Sequence, residues 1–476
     1  MNTAVAQAKP DRRNRAGARP AKLASALTLA AVVWGSLAFG AVYPWAFWPL
    51  AALALAGGLA GLFAAAADRT SAAFSRGFVL ALGAVVAAAL LQLIPLPLSI
   101  LLAVNPNGVW LRQQLDLTSA GAAGAHALSI APSASWLALA LLVSFVVFLL
   151  GTSSLLSIEG PRKLVRALTI FGVVVALVGI LQKPLFAGRI YGFWTPQEEG
   201  SPFAPFVNRN HFAGWMLMVL PLALGYLCAA LARAMRHHKP AWRDRLLWLM
   251  TPEANKIILT AGGIAIMGLA LVLTFSRSGI SALALALVVM GWLVAHRQQG
   301  RWRKLIAAGY LALLGIALVA WVGVDALVSR FGEGAFDDGR LGIWADAGHA
   351  VGRHWLTGTG LNTYQFASVV YQRRDMASFF VDAAHNDYLQ LAAEGGLLLT
   401  IPAALCIALF IRDVRRRLRE DNGSSAYWIR AGAVTALVAI ALQETVEFSL
   451  QMPGNAALFA VLCGIALHAS PGRASR

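Results

Sequence analysis

Twelve predominantly apolar stretches, each close to the ~20 residues that carry a helix across a hydrocarbon core, leave this chain few folds to choose from. They run over 23–42, 47–67, 78–98, 134–156, 164–182, 212–233, 257–275, 280–296, 305–324, 395–411, 430–446 and 455–469. In lipid each backbone N–H and C=O has to be satisfied within its own segment, so stretches of this length are expected as helices. Composition agrees: of 476 residues 58% are hydrophobic and 13% charged, with a mean hydropathy of +0.66. The expected fold class is an all-α polytopic membrane protein with about twelve transmembrane helices.

The positions of the basic residues give an orientation. Of the 39 Lys and Arg, 29 fall on alternate connections and their flanking turns, as in RAMRHHKPAWRDR, RQQGRWRK and RDVRRRLRE. The excess is the signature of cytoplasmic loops, places both termini inside, and accounts for the net charge of +17 without nucleic acid. RRNRAGARPAK resembles the basic start of a signal peptide, but the run from Leu23 is long enough to span and lacks a small-residue cleavage site, so an uncleaved anchor is expected. The organisation is then a basic tail (1–22), helices one to nine (23–324), a large periplasmic loop (325–394), helices ten to twelve (395–469) and a tail (470–476). Cys228, Cys406 and Cys463 lie inside apolar runs, which points to neither disulfides nor a thiolate metal site.

Three outer loops are longer than bare connections need: 99–133, 183–211 and the 70-residue 325–394, which is expected to be partly helical. They hold most of the basic residues that break the inside rule. Among these, Arg209 lies in FVNRNHFAGW, Arg277 in TFSRSGIS and Arg340 in DDGRLGIW. A single arginine near a helix end can snorkel to headgroups, but a guanidinium also offers a planar fork of donors suited to phosphate oxygens. His385, in DAAHNDYLQLAAEGG, is a candidate general base. With Asp382 as N-cap it falls at the third helical position, where the helix dipole disfavours the imidazolium while Asp382 and Asp387 favour it. Glu444 and Glu447 are three apart and are expected on one helix face, placed to touch a sugar or pair with an arginine. Asp337 and Asp338 read as a solvated turn, and His349 and His354 lack the partners of a zinc site; no metal or cofactor is expected. Trp34, Trp45, Trp48, Trp194 and Trp215 fit interfacial positions.

Four elements occur in order: SRSG after an apolar helix, RLGIWADAGHAV, GTGLNTYQF, and HNDYLQLAAEGGL entering another helix. Together with FVNRNHFAGW upstream they resemble the signature region of the bacterial O-antigen ligase and polymerase superfamily, over about residues 203–411. The resemblance implies transfer of a glycan from undecaprenyl pyrophosphate to an acceptor hydroxyl at the periplasmic face of the inner membrane, by a metal-independent inverting displacement. It implies that Arg277 and Arg340, with Arg209, bind the pyrophosphate and that His385 activates the acceptor. Asn208, Asn210, His211, Asn386, Asp382, Glu444 and Glu447 are expected in support. Partners would be the lipid-linked donor, an acceptor hydroxyl on a glycan, a lipid A core or a protein, and membrane lipids. Family members often carry proline before the GxG element, where this chain has His354, Trp355, Leu356 and Thr357. Gly358 and Gly360 are expected to permit a tight turn. The alternatives are a protein O-oligosaccharyltransferase of the same superfamily and a lipid-linked sugar flippase or exporter. The spans lack mid-membrane charges and no repeat relates the two halves, which disfavours transport. The first outer loop, AVYPWAF, lacks the acids of metal-dependent oligosaccharyl transferases.

Overall fold

In a computed structural model of the chain, the described residues are 12–69, 74–115, 125–197, 201–234, 250–297, 340–372, 380–421 and 425–470. Among them every regular element is helical, with isolated β-bridges only. We number the helices α1 (Arg12–Leu37), α2 (Pro44–Asp68), α3 (Arg76–Leu91), α4 (Leu98–Val104), α5 (Pro106–Leu115), α6 (Pro132–Glu159), α7 (Arg162–Gln182), α8 (Arg209–Ala234), α9 (Pro252–Leu273), α10 (Arg277–Arg297), α11 (Arg340–Arg353), α12 (Tyr364–Tyr371), α13 (Asp387–Glu420), α14 (Ser425–Gln443) and α15 (Pro453–Leu467).

Among the described residues eight helices are long and apolar enough to cross a membrane, namely α1, α2, α6, α7, α8, α9, α13 and α14; α3 and α15 are apolar but shorter, and α10 is apolar over Arg277–Gly291. Eleven of the twelve expected segments therefore coincide with helices, of which α3 and α15 are short of a full span, and the twelfth, 305–324, lies outside the described residues, as do Asp337 and Asp338. In α3 the apolar run continues to residue 98 but the helix stops at Leu91 before the proline-interrupted IPLPL.

The centre of the bundle is α8, packed along α14, with α15 set against α6, α1 and α14. Where α8 crosses α14 the backbones touch: a Cβ on Gly225 would lie 2.8 Å from the Gly432 Cα. Such contacts let dispersion along two apolar helices replace the hydrophobic drive that lipid does not supply.

The feature that positions the site is a break inside α13. Gly396 has φ 53 and ψ −161, which divides the element into Asp387–Gly395 and a long apolar piece from Leu397 onward. A break strands backbone donors and acceptors. Residues 355–360 take them up: Thr359 and Gly360 N–H donate to the Ala393 and Glu394 carbonyls (3.0 and 2.9 Å). Leu397 and Leu398 N–H donate to Trp355 and Leu356 (2.7 and 2.9 Å). Gln92 on α3's C-cap ties the joint further, donating to the Thr357 and Glu394 carbonyls, both at 2.8 Å. The approach is close enough that Gly358, at φ +68, has no room for a side chain, its Cβ position being 2.1 Å from the Glu394 oxygen. The expected tight turn at Gly358 and Gly360 is thus the key that fits the break. His354 is tied to Asn105 Oδ1 (3.3 Å) and the Tyr371 hydroxyl (2.8 Å), and burial, followed by the Arg353 charge, lowers its pKa to about 4. It is a neutral structural pin.

Candidate active site

Six of the described helices begin with arginine, and the starts of three of them, α8, α10 and α11, meet at one place. Arg209 opens α8, Arg277 opens α10 and Arg340 opens α11. A cation in the first turn opposes the helix dipole, which favours negative charge at that end. Where such starts meet, arginine residues and helix N-termini come together, a combination suited to an anion. Local sequence fixes two of these starts. Asn208 Oδ1 accepts from Asn210 N–H (2.8 Å), and Ser276 Oγ accepts from Gly279 N–H (3.3 Å) after a turn in which Phe275 sits at φ 53.

The three helix starts converge on one carboxylate. Glu447 Oε1 accepts from Arg340 Nη2 (2.9 Å), Asn210 Nδ2 (2.8 Å) and Ser278 Oγ (3.5 Å). Glu447 is 1% exposed, and its second oxygen, Oε2, faces His385 Nδ1 at 3.8 Å. Neither of those two atoms has a hydrogen-bond partner among the described residues, although both are enclosed. An orphaned buried polar atom costs roughly 1–3 kcal/mol. The His385 side chain is 29% exposed, and Nε2 is not enclosed as Nδ1 is. Its ring meets Phe448 edge-on at 4.8 Å, and the His211 ring meets the same phenyl at 4.9 Å.

His385 is not at the third helical position. Asn386, not Asp382, is the N-cap, its Oδ1 accepting from Leu389 N–H (3.0 Å), so α13 starts at Asp387 and His385 stands just outside it. Both residue types cap well; Asn386 wins because Gln390 Oε1 holds Ala384 N–H (2.9 Å) and the Glu444 carbonyl holds Asp387 N–H (3.0 Å), fixing the entry four residues later. His385 adopts φ 48, a left-handed conformation costing a non-glycine residue on the order of 1–3 kcal/mol. Asp382 is exposed and joins no hydrogen bond or ion pair among the described residues. Asp387 is engaged with Gln451 Nε2 (2.7 Å) and the Glu444 carboxyl.

Glu444 and Glu447 do not share a helix face, because α14 ends at Gln443 and the chain turns between them. Glu447 enters the arginine cluster, whereas Glu444 is buried against Asp387. Burial, and after it the Asp387 charge, raises the Glu444 pKa, so the two carboxyls share a proton. His211 is 4% exposed with neither ring nitrogen bonded among the described residues, and its ring packs against Phe448. Lys183, not singled out by the sequence, donates to the Leu273 carbonyl ahead of the Arg277 turn and lies within electrostatic range of Arg209. Its signal was its place among the few basic residues of the outer loops.

Residues 262–403 match the family model described as O-antigen ligase. Through this segment the chain is similar to the O-antigen ligase family. The O-antigen ligase segment contains Arg277, Arg340 and His385; Arg209, Asn210 and Glu447 lie outside it. The chain is also similar to "Exopolysaccharide production protein ExoQ" of Rhizobium meliloti (strain 1021), at 27% identity over 176 residues. That similarity covers 34% of this chain and 40% of that protein, less than half of either.

Proposed function

We propose that the protein is a glycan ligase or polymerase that moves an oligo- or polysaccharide from undecaprenyl pyrophosphate to an acceptor hydroxyl on the periplasmic side of a bacterial inner membrane, with both termini cytoplasmic. The observation that carries this is the meeting of three arginine-led helix starts at Glu447, beside His385. The guanidinium groups and helix N-termini take the pyrophosphate and supply the charge stabilisation that a metal gives elsewhere. The acceptor oxygen attacks the anomeric carbon opposite its bond to the pyrophosphate. That bond breaks, configuration inverts, and the lipid pyrophosphate leaves with the electron pair. His385 Nε2 takes the hydroxyl proton. The printed role of the similar Rhizobium protein favours a growing exopolysaccharide chain as acceptor over a lipid A core or a protein.

Deleting the gene separates these acceptors. A polymerase leaves single repeats on the lipid carrier, a ligase leaves long chains there, and a protein glycosylase leaves the surface polysaccharide intact. In membranes, Arg277→Ala and Arg340→Ala at wild-type protein levels are each expected to lower transfer roughly a hundredfold or more, since each removes a donor from the developing pyrophosphate charge. Wild-type transfer in both variants, or a topology reporter that puts residues 340–394 in the cytoplasm, overturns the reading.

A further inference from the structure

The Glu447 carboxylate is loaded unevenly. One oxygen collects three donors, including the Arg340 guanidinium, while the other has none among the described residues and stands 3.8 Å from an equally unbonded His385 Nδ1. A rotation that brings Oε2 about 1 Å closer makes a hydrogen bond between two enclosed groups that otherwise lack one. What resists it is Arg340, whose ion pair holds the carboxylate from the other side. Arg340 is also 32% exposed, so it is open to a ligand while Glu447, at 1%, is not.

We propose that Glu447 is a donor-operated positioning residue: it holds Arg340 until a pyrophosphate takes that guanidinium, and the released carboxylate then closes on His385 Nδ1 and fixes the ring with Nε2 toward the acceptor. The idea rests on the transferase reading above and adds an order of events to it. Once Nδ1–H donates to Glu447, the imidazole is held in the tautomer whose free lone pair is on Nε2, the form that can accept a proton. The base is therefore set only when the leaving group is in place, and the acceptor is activated after the donor. The other groups around His385 fit this assignment. Phe448 packs the ring edge-on without offering it an acceptor, His211 packs the same phenyl, and Asp387 is taken by Glu444 and Gln451. Asn210 and Ser278 keep the first carboxylate oxygen in place when Arg340 leaves it. His385 itself, outside the helix and at φ 48, is free of the α13 hydrogen-bond ladder and can pivot without unwinding it.

The test uses full-length protein in bilayer nanodiscs, undecaprenyl pyrophosphate as binding probe, and lipid-linked oligosaccharide extracted from the producing host as donor. Glu447→Gln removes the anion that competes for Arg340 and the acceptor that orients His385, so two effects of opposite sign are expected. Undecaprenyl pyrophosphate binds roughly three- to tenfold tighter, while kcat falls about a hundredfold. A merely structural glutamate would weaken both. Glu447→Asp, which keeps the charge one methylene further back, is expected to recover part of kcat and to return binding toward wild type; it also serves if the glutamine variant fails to insert. Weaker binding in either variant, or wild-type kcat in Glu447→Gln, overturns the proposal. If His385→Ala still transfers glycan at the wild-type rate, it is the transferase reading that falls, which keeps the two failures apart.

Discussion

His385→Ala, inserted at wild-type levels, is expected to lower glycan transfer by about two to four orders of magnitude while leaving undecaprenyl pyrophosphate binding unchanged. The separation follows from position. The imidazole faces Glu447 and Phe448, so its removal takes a proton acceptor from the reaction while Arg340 keeps its place for the anion. It also takes no helical hydrogen bond, because Asn386 caps α13 without it. A methyl group relieves little of the left-handed strain, so folded protein should be as abundant as wild type. Transfer measured with saturating donor in nanodiscs, beside a binding isotherm for the lipid pyrophosphate, checks both halves. A drop in binding as large as the drop in rate would place the histidine on the phosphate instead.

Gly358→Ala is expected to have a comparable effect by a different route. The new methyl group would sit 2.1 Å from the Glu394 oxygen at a residue held at φ +68, a combination of overlap and backbone strain that the surroundings cannot relieve by moving a side chain. The turn has to withdraw from α13, and the four backbone bonds across the break at Gly396 go with it. The loss should be on the order of 3–5 kcal/mol, read as a lower unfolding temperature in detergent and as lost transfer in a chain whose arginines and histidine are all intact. Gly348→Ala is the control. It lies within α11 with nothing inside 4 Å of its Cβ position, so the exchange should be neutral or stabilising by up to about 1 kcal/mol, with activity retained.

The residues of the site were legible where chemistry is local. Arg277, Arg340 and His385 stood out because a charged or titratable side chain at the edge of an apolar run needs a reason, and their order carried the family resemblance. Glu447 was legible only as a neighbour of Glu444. Its partners come from positions 107, 237 and 169 residues away, and no spacing rule spans such distances. The three-residue interval implied a shared helix face, but LQETVEF has no glycine or proline to announce that α14 stops at Gln443. The stop is made by tertiary contacts, as the Glu444 carbonyl is used by Asp387 N–H at the head of α13. The same contact, with Gln390 behind it, decided the cap between Asp382 and Asn386. Helix ends were hidden in a related way: hydropathy measures how long an apolar run is, and α3 shows that the helix inside it can be shorter.

The break at Gly396 has a consequence for anyone exchanging parts between such proteins. Residues 355–360 and 393–398 hold each other through main-chain atoms, so their fit depends on the path of two backbones and hardly on the side chains they display. A chimera that takes residues 340–372 from one family member and α13 from another has to reproduce both paths to within a few tenths of an ångström. Grafts that carry the two together should fold and bring their acceptor preference with them, whereas grafts of either alone should insert and remain silent. The unit of inheritance for specificity would then be a pair of segments, 340–372 with 380–421, that the sequence sets side by side but that only the joint makes inseparable.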